Sequence, residues 1–217
     1  MTQNLHHPSV QRIARVAGAL GDLLPEVVFI GGAIAPLLHA HSPFGQPRPT
    51  KDVDAVMAST DRQHVHRWRS PEGDLLDLIP AGNHPGGSGQ IWDTIALETS
   101  EAVDLGVGSP VRYASAPCFL ALKWAAYDDR GRADPFASHD LEDILALVAA
   151  RPTIVEEVAS ARAELRDFVG RRVQELLASP DLEDLLAGNL GTAQDPASVI
   201  DLVRLRLKEI ARFAGAH

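Results

Sequence analysis

The sequence predicts an α+β protein: a mixed β-sheet core flanked by helices over residues 1–150, then a C-terminal helical region over residues 151–217. Short apolar runs bounded by Gly, Pro and Asp recur between residues 26 and 114, as strands do. From Ser115 onward the apolar residues follow helical spacing instead. Arg151-Pro152 punctuates the chain between the two parts, since the residue before a proline is biased out of the helical region.

Pro8 suits the first turn of a helix over 8–23, whose apolar positions are Val10, Ile13, Val16, Ala17 and Leu20. Pro25 ends it, and 26–30 reads as a buried strand. Residues 33–41 form a short helix, with Pro36 tolerable in its first turn. The Pro- and Gly-rich 42–50 is a loop. Three strands, 52–58, 64–69 and 74–79, then read as a meander joined by Ser59–Gln63 and Ser70–Gly73. After the loop Gly82–Gly89, 91–96 and 110–114 are weaker strands around an acidic segment, Glu98–Asp104. Ser115 and Pro117 start a helix that runs to about Asp129, and Ser138 caps another, with Asp140 and Glu142 at its positive end. Helices over 153–178, 181–187 and 196–213 complete the chain.

Composition narrows the function classes. No apolar run approaches the roughly 20 residues of a membrane span, and the first ten residues lack the basic start and hydrophobic core of a signal peptide. A lone Cys118 excludes an internal disulfide and fits a cytoplasmic location. The net charge of −9 speaks against a broad nucleic-acid surface. That charge is uneven: residues 1–150 carry a net −7 and residues 151–217 a net −2. The nearly balanced tail is therefore the better place to touch a polyanion, through Arg162, Arg166, Arg171 and Arg172, or Arg204, Arg206, Lys208 and Arg212.

The chemistry concentrates between Val27 and Met57. An apolar run ends on Gly31-Gly32 and hands over to a helix, the junction at which backbone N–H groups approach phosphate. Some 20 residues later Thr50-Lys51-Asp52-Val53-Asp54 opens a second run. Asp52 and Asp54 are two apart, so on a strand they share a face about 7 Å apart. Asp77 is a third carboxylate inside the apolar run Leu75–Ile79, where an ionised group is costly unless paired or metal-bound, with Asp74 as its competitor. Carboxylates on neighbouring strands can hold Mg²⁺ and take a proton from an attacking hydroxyl. Arg48 and Thr50 precede them and could touch phosphate. Lys123, Tyr127 and Arg130 share a helical stripe suited to a triphosphate, and Asp140 and Asp143, three apart, could position those cations. The His-x-His pairs at 39–41 and 64–66 lack the partners of a zinc site.

Gly31-Gly32, Thr50-Lys51-Asp52-Val53-Asp54, Asp77, Lys123 with Asp129-Arg130-Gly131, and Ser138-His139-Asp140-Leu141-Glu142-Asp143 together resemble nucleotidyltransferases of the polymerase-β-like fold, in particular the AbiEii/AbiGii toxin-like group. The resemblance spans residues 26–150. It implies a magnesium-dependent transferase that moves a nucleoside monophosphate from an NTP to a hydroxyl acceptor, tRNA in some members, within toxin–antitoxin or phage-defence systems with an antitoxin partner. It implies that Asp52 and Asp54 bind Mg²⁺, that Asp77 completes the catalytic set, and that Lys123 contacts triphosphate. Two rival expectations are a degenerate nucleotide-binding or interaction module and an aminoglycoside-type adenylyltransferase. The link Ser59–Gln63 departs from the pattern by being too short for a helix, and the loop after Ile79 by being long and Gly-rich.

Overall fold

The computed structural model describes residues 5–39, 42–44, 47–58, 66–70, 72–82 and 91–215, without the side chain of His66. The short link and the Gly-rich loop, at 59–65 and 83–90, lie outside the described residues. The fold is α+β with a six-stranded mixed sheet. Its strands are β1 (Val27–Ile30), β2 (Asp52–Met57), β3 (His66–Arg69), β4 (Leu75–Pro80), β5 (Glu101–Val103) and β6 (Val111–Tyr113). The helices are α1 (Pro8–Leu20), α2 (Ala35–Leu38), α3 (Ile91–Glu98), α4 (Ala116–Ala126), α5 (His139–Ala150), α6 (Ile154–Ser160), α7 (Ala163–Leu177), α8 (Leu182–Leu190) and α9 (Pro196–Ala211). No helix among the described residues is long and apolar enough to cross a membrane.

The contacts divide the chain into a sheet unit, Thr2–Leu37 with Arg48–Phe119, and a helical unit, Leu38–Pro47 with Leu120–His217 and Met1. The division falls inside α4, and α5 packs on α8 and α9.

In the sheet unit the order is β3-β4-β2-β1-β6-β5. The three strands expected as a meander are instead interleaved: β4 inserts between β2 and β3, parallel to β2 and antiparallel to β3. All four residues of β1 are buried, as expected for a central strand. In β2 Val53 and Ala55 are buried on one face, which sends Asp52 and Asp54 to the other. Residues 91–96 form not a strand but the start of α3, burying Trp92, Ile95 and Ala96 at helical spacing. The acidic segment holds the edge strand β5, paired with β6. Its alternation is too short, at three residues, to stand out from a polar loop.

Helix α1 anchors the sheet. The His7 ring nitrogen Nδ1 accepts from Ser9 N at 3.1 Å as its cap. Arg12 Nε donates to Asp74 Oδ1 at 3.0 Å and Arg15 Nε to Asp74 Oδ2 at 2.7 Å. Arg12 also donates to the Thr50 carbonyl, and Thr50 N donates to Ser9 Oγ at 3.2 Å. Asp74 is thereby a structural acceptor, and the hydrogen bond from Arg15 holds its carboxyl below the usual range.

In the helical unit Ser138 caps α5, its Oγ accepting from Leu141 N at 3.3 Å. The helix expected over 153–178 is two: Ala161 and Arg162 are extended (ψ 166° and 146°) between α6 and α7. Neither residue is Gly or Pro, so the sequence carries no breaker. The other end of α5 is closed by Arg206, whose Nη1 donates to the carbonyls of Val148 (2.6 Å) and Ala149 (3.0 Å). Orphan carbonyls at a helix C-terminus need such donors.

Candidate functional site

The sheet unit brings the three predicted carboxylates onto two adjacent strands. Asp54 pairs in register with Asp77 across the parallel β2/β4 contact and with Ile30 across β1/β2. Residues in register on parallel neighbours share a face, with strands about 4.8 Å apart, so Asp77 stands beside Asp54 and Asp52 lies two residues along. Asp52 is exposed and Asp54 half-buried.

Gly31 follows Ile30 and sits at φ +70°, ψ −169°, a region open essentially to glycine alone. A Cβ there would lie 2.4 Å from Asp54 Oδ2 and 3.2 Å from its Cγ. The Asp54 carboxylate therefore fills the space that a side chain at 31 would take. Gly31→Ala is expected to cost about 1–3 kcal/mol from backbone strain alone and to push Asp54 off its place. Gly188→Ala, in α8 with nothing within 4 Å of the new Cβ, is expected to be neutral or slightly stabilising. Urea denaturation of the two variants checks this; equal stabilities would sink the account.

Sequence reasoning missed Arg67. It lies opposite Asp77 in the β3/β4 register, and donates to both oxygens, Nε to Oδ1 at 2.7 Å and Nη2 to Oδ2 at 2.6 Å. These hydrogen bonds hold the Asp77 carboxyl below its ordinary range. The Arg67 guanidinium is in turn pushed up, first by its hydrogen bond to Asp77 and also by the charges of Asp77, Asp52 and Asp54. The available signal was Arg67-Trp68-Arg69, which alternates charge on one face of a strand; the register against β4 was not readable.

This arrangement bears on a metal ion. Among the described residues no group of three or more His, Cys, Asp or Glu side chains is gathered so as to hold one. The Asp52/Asp54 pair offers the hard oxygen donors that Mg²⁺ prefers, and Gly31 leaves the Asp54 carboxylate its room. Asp77 is engaged by Arg67 instead.

The remaining candidates divide between the two units. In the sheet unit, Arg48 is exposed. The Thr50 hydroxyl is buried with no hydrogen-bond partner among the described residues, while the Thr50 backbone is tied to α1. Gly32 opens the 3₁₀ turn Gly32–Ile34. In the helical unit, Lys123 Nζ lies 3.1 Å from Asp140 Oδ1 and 2.5 Å from Asp143 Oδ2. Arg130 donates to both Asp140 oxygens, Nε at 2.8 Å and Nη2 at 3.0 Å. A π-helical turn, Tyr127–Gly131, delivers Arg130 to that position. Lys123 and Asp140 are buried, so the two form a desolvated ion pair rather than a solvated face.

Most of the tail arginines considered for phosphate have partners inside the helical unit. Arg172 is buried, paired with Asp128 and Glu175, and stacked 5.4 Å from the centre of the Trp124 ring. Arg171 pairs with Asp167 at 2.8 Å, Arg204 with Glu183 at 2.7 Å, and Arg166 donates to the Ala159 carbonyl. Lys208 and Arg212 are exposed near the end of α9. Cys118 is buried, and burial pushes its thiol up to about 12, which leaves it unreactive.

No protein-family model matches the chain, and no curated protein matches it. Among solved structures it is similar to an antigenic nucleotidyltransferase-like protein from Paracoccidioides brasiliensis, with 19% identity over 88% of this chain and 93% of that one, at a TM-score of 0.44. It is also similar to JHP933 from Helicobacter pylori, with 13% identity over 98% of this chain and 93% of that one, at a TM-score of 0.48.

Proposed function

We propose that this chain is a Mg²⁺-dependent nucleotidyltransferase. The observation that supports this best is Asp54 seated against the side-chain-less Gly31, with Asp52 on the same face and Asp77 in register beside it. Asp52 and Asp54 would hold the magnesium, which when bound neutralises charge on the nucleotide's phosphates. The Gly31-Gly32 turn lets backbone N–H groups approach those phosphates, where fixed donors lower the barrier most. Asp77 would take the acceptor's hydroxyl proton once Arg67 releases its oxygens, since a carboxylate held on both is the weaker base. The acceptor oxygen bonds to the α-phosphorus, the bond from that phosphorus to the bridging oxygen breaks, and pyrophosphate leaves. Lys123 and Arg130 carry no step in this scheme, since Asp140 and Asp143 hold their charges.

A tRNA end is the acceptor the sequence resemblance favours, and in the group it resembles such transfer belongs to toxin–antitoxin systems. Incubating the chain with Mg²⁺, each α-labelled NTP and total RNA tests the reading. Label in tRNA with pyrophosphate release supports it in full. Label confined to protein, or to an added aminoglycoside, keeps the transferase and replaces the acceptor. No label and no pyrophosphate with any NTP would leave the second reading, a nucleotide-binding or interaction module without catalysis, which the Arg67 clamp on Asp77 favours.

A further inference from the structure

Asp52, Asp54 and Asp77 set three negative charges on one face of β2 and β4, where like charges resist gathering unless a cation stands among them. Arg67 supplies that cation from the next strand. Its planar fork meets both Asp77 oxygens, at 2.7 and 2.6 Å, the bidentate geometry that gives the stronger ion pairs. Its side chain is 65% exposed, whereas that of Asp77 is 18% exposed. Both residues sit on sheet strands, but the long guanidinium arm reaches solvent while the short Asp77 side chain is largely covered, so Arg67 is the partner with room to swing away.

We infer that Arg67 is the resident counter-cation of this site and competes with divalent metal for Asp77. A guanidinium on both oxygens and a doubly charged ion on the same oxygens exclude one another, by occupancy and by repulsion. Asp77 joins Asp52 and Asp54 around a metal ion only when Arg67 turns out toward solvent. This rests on the reading of Asp52 and Asp54 as the metal-holding pair. It accounts for the absence of a three-membered metal group among the described residues despite three acidic side chains on one face.

The inference carries an unusual sign: loss of a side chain improves binding. In a titration of the full chain with Mn²⁺ alone, followed by electron paramagnetic resonance, Arg67→Gln is expected to bind Mn²⁺ up to about fivefold more tightly than wild type, the range an exposed ion pair can withhold. Arg67→Lys, which keeps the charge and loses the fork, falls between them. The gain vanishes in the Arg67→Gln/Asp77→Asn double variant. Damage to the fold lowers affinity and cannot imitate this, and thermal melts of each variant confirm that the chain remains folded. Binding that Asp52→Asn abolishes but Arg67→Gln leaves unchanged overturns the inference and spares the metal reading. A gain that survives the loss of Asp77 overturns it as well. No Mn²⁺ binding sensitive to Asp52→Asn in any variant overturns both.

Discussion

Asp54→Asn is expected to fold as the wild type does and to transfer nucleotide at least about 100-fold more slowly, the cost of deleting one preorganised charge from a polar active site. Asparagine keeps the shape of the side chain that occupies the space over Gly31 and removes only its charge. Of the three carboxylates Asp54 is the central one, flanked by Ile30 on β1 and Asp77 on β4. Asp52 lies at the exposed start of β2, where water can replace part of what is lost, so Asp52→Asn is expected to do less harm. Pyrophosphate release measured beside a thermal melt separates chemistry from folding. A rate within tenfold of wild type, from a folded Asp54→Asn chain, would end the transferase reading of this face.

Asp140→Ala is expected to destabilise the helical unit by about 3 kcal/mol, as breaking a buried ion pair from one side does. Asp140 is 3% exposed and accepts from Lys123 and Arg130 together. Removing it leaves the buried ammonium of Lys123 with Asp143, which is why the loss stays below that of an isolated charge. The double variant Asp140→Leu/Lys123→Met is expected to recover part of the stability, since the two buried charges go together and only the part-exposed Asp143 loses a partner. Urea midpoints for the three chains decide this. A double variant no more stable than the single would show that Asp140 acts through packing.

The same carboxylate sets an acid limit. Burial pushes the Asp140 carboxyl up, but the hydrogen bonds and charges of Arg130 and Lys123 outweigh burial and hold it below its ordinary value. Asp74 is lowered too, chiefly by Arg15. A carboxyl depressed in the folded state binds protons more readily in the unfolded chain. Its stabilisation is therefore whole above the unfolded value near 4 and drains away as pH falls through the folded value. Wild-type stability is expected to be flat from pH 7 to about 5 in this respect and to drop below about 4. The drop becomes shallower in Asp140→Ala, and equal slopes in the two chains would contradict the assignment.

Legibility of the fold followed the range of the interactions concerned. Helices whose signals are local, such as α1 with Pro8 in its first turn or α5 with its Ser138 cap, stand close to their expected bounds. The insertion of β4 between β2 and β3 does not announce itself, because alternation fixes which face a residue takes and not which strand lies alongside. Asp52 and Asp54 share a face by spacing alone. The approach of Asp77, and the clamp of Arg67 on it, depend on register between segments and were beyond any local pattern. The misreading of 91–96 is of another kind: a short apolar run fits a strand or one side of a helix equally, and packing decided for α3.

Helix α1 has one consequence outside equilibrium stability. Through Ser9, Arg12 and Arg15 it grips the lead-in to β2 at Thr50 and the lead-in to β4 at Asp74. It precedes both acid-bearing strands in the chain and is made before them. Both strands are then aligned from their beginnings by the same splint. Whatever loosens that splint misaligns the acidic face as a whole, although none of its residues belongs to that face.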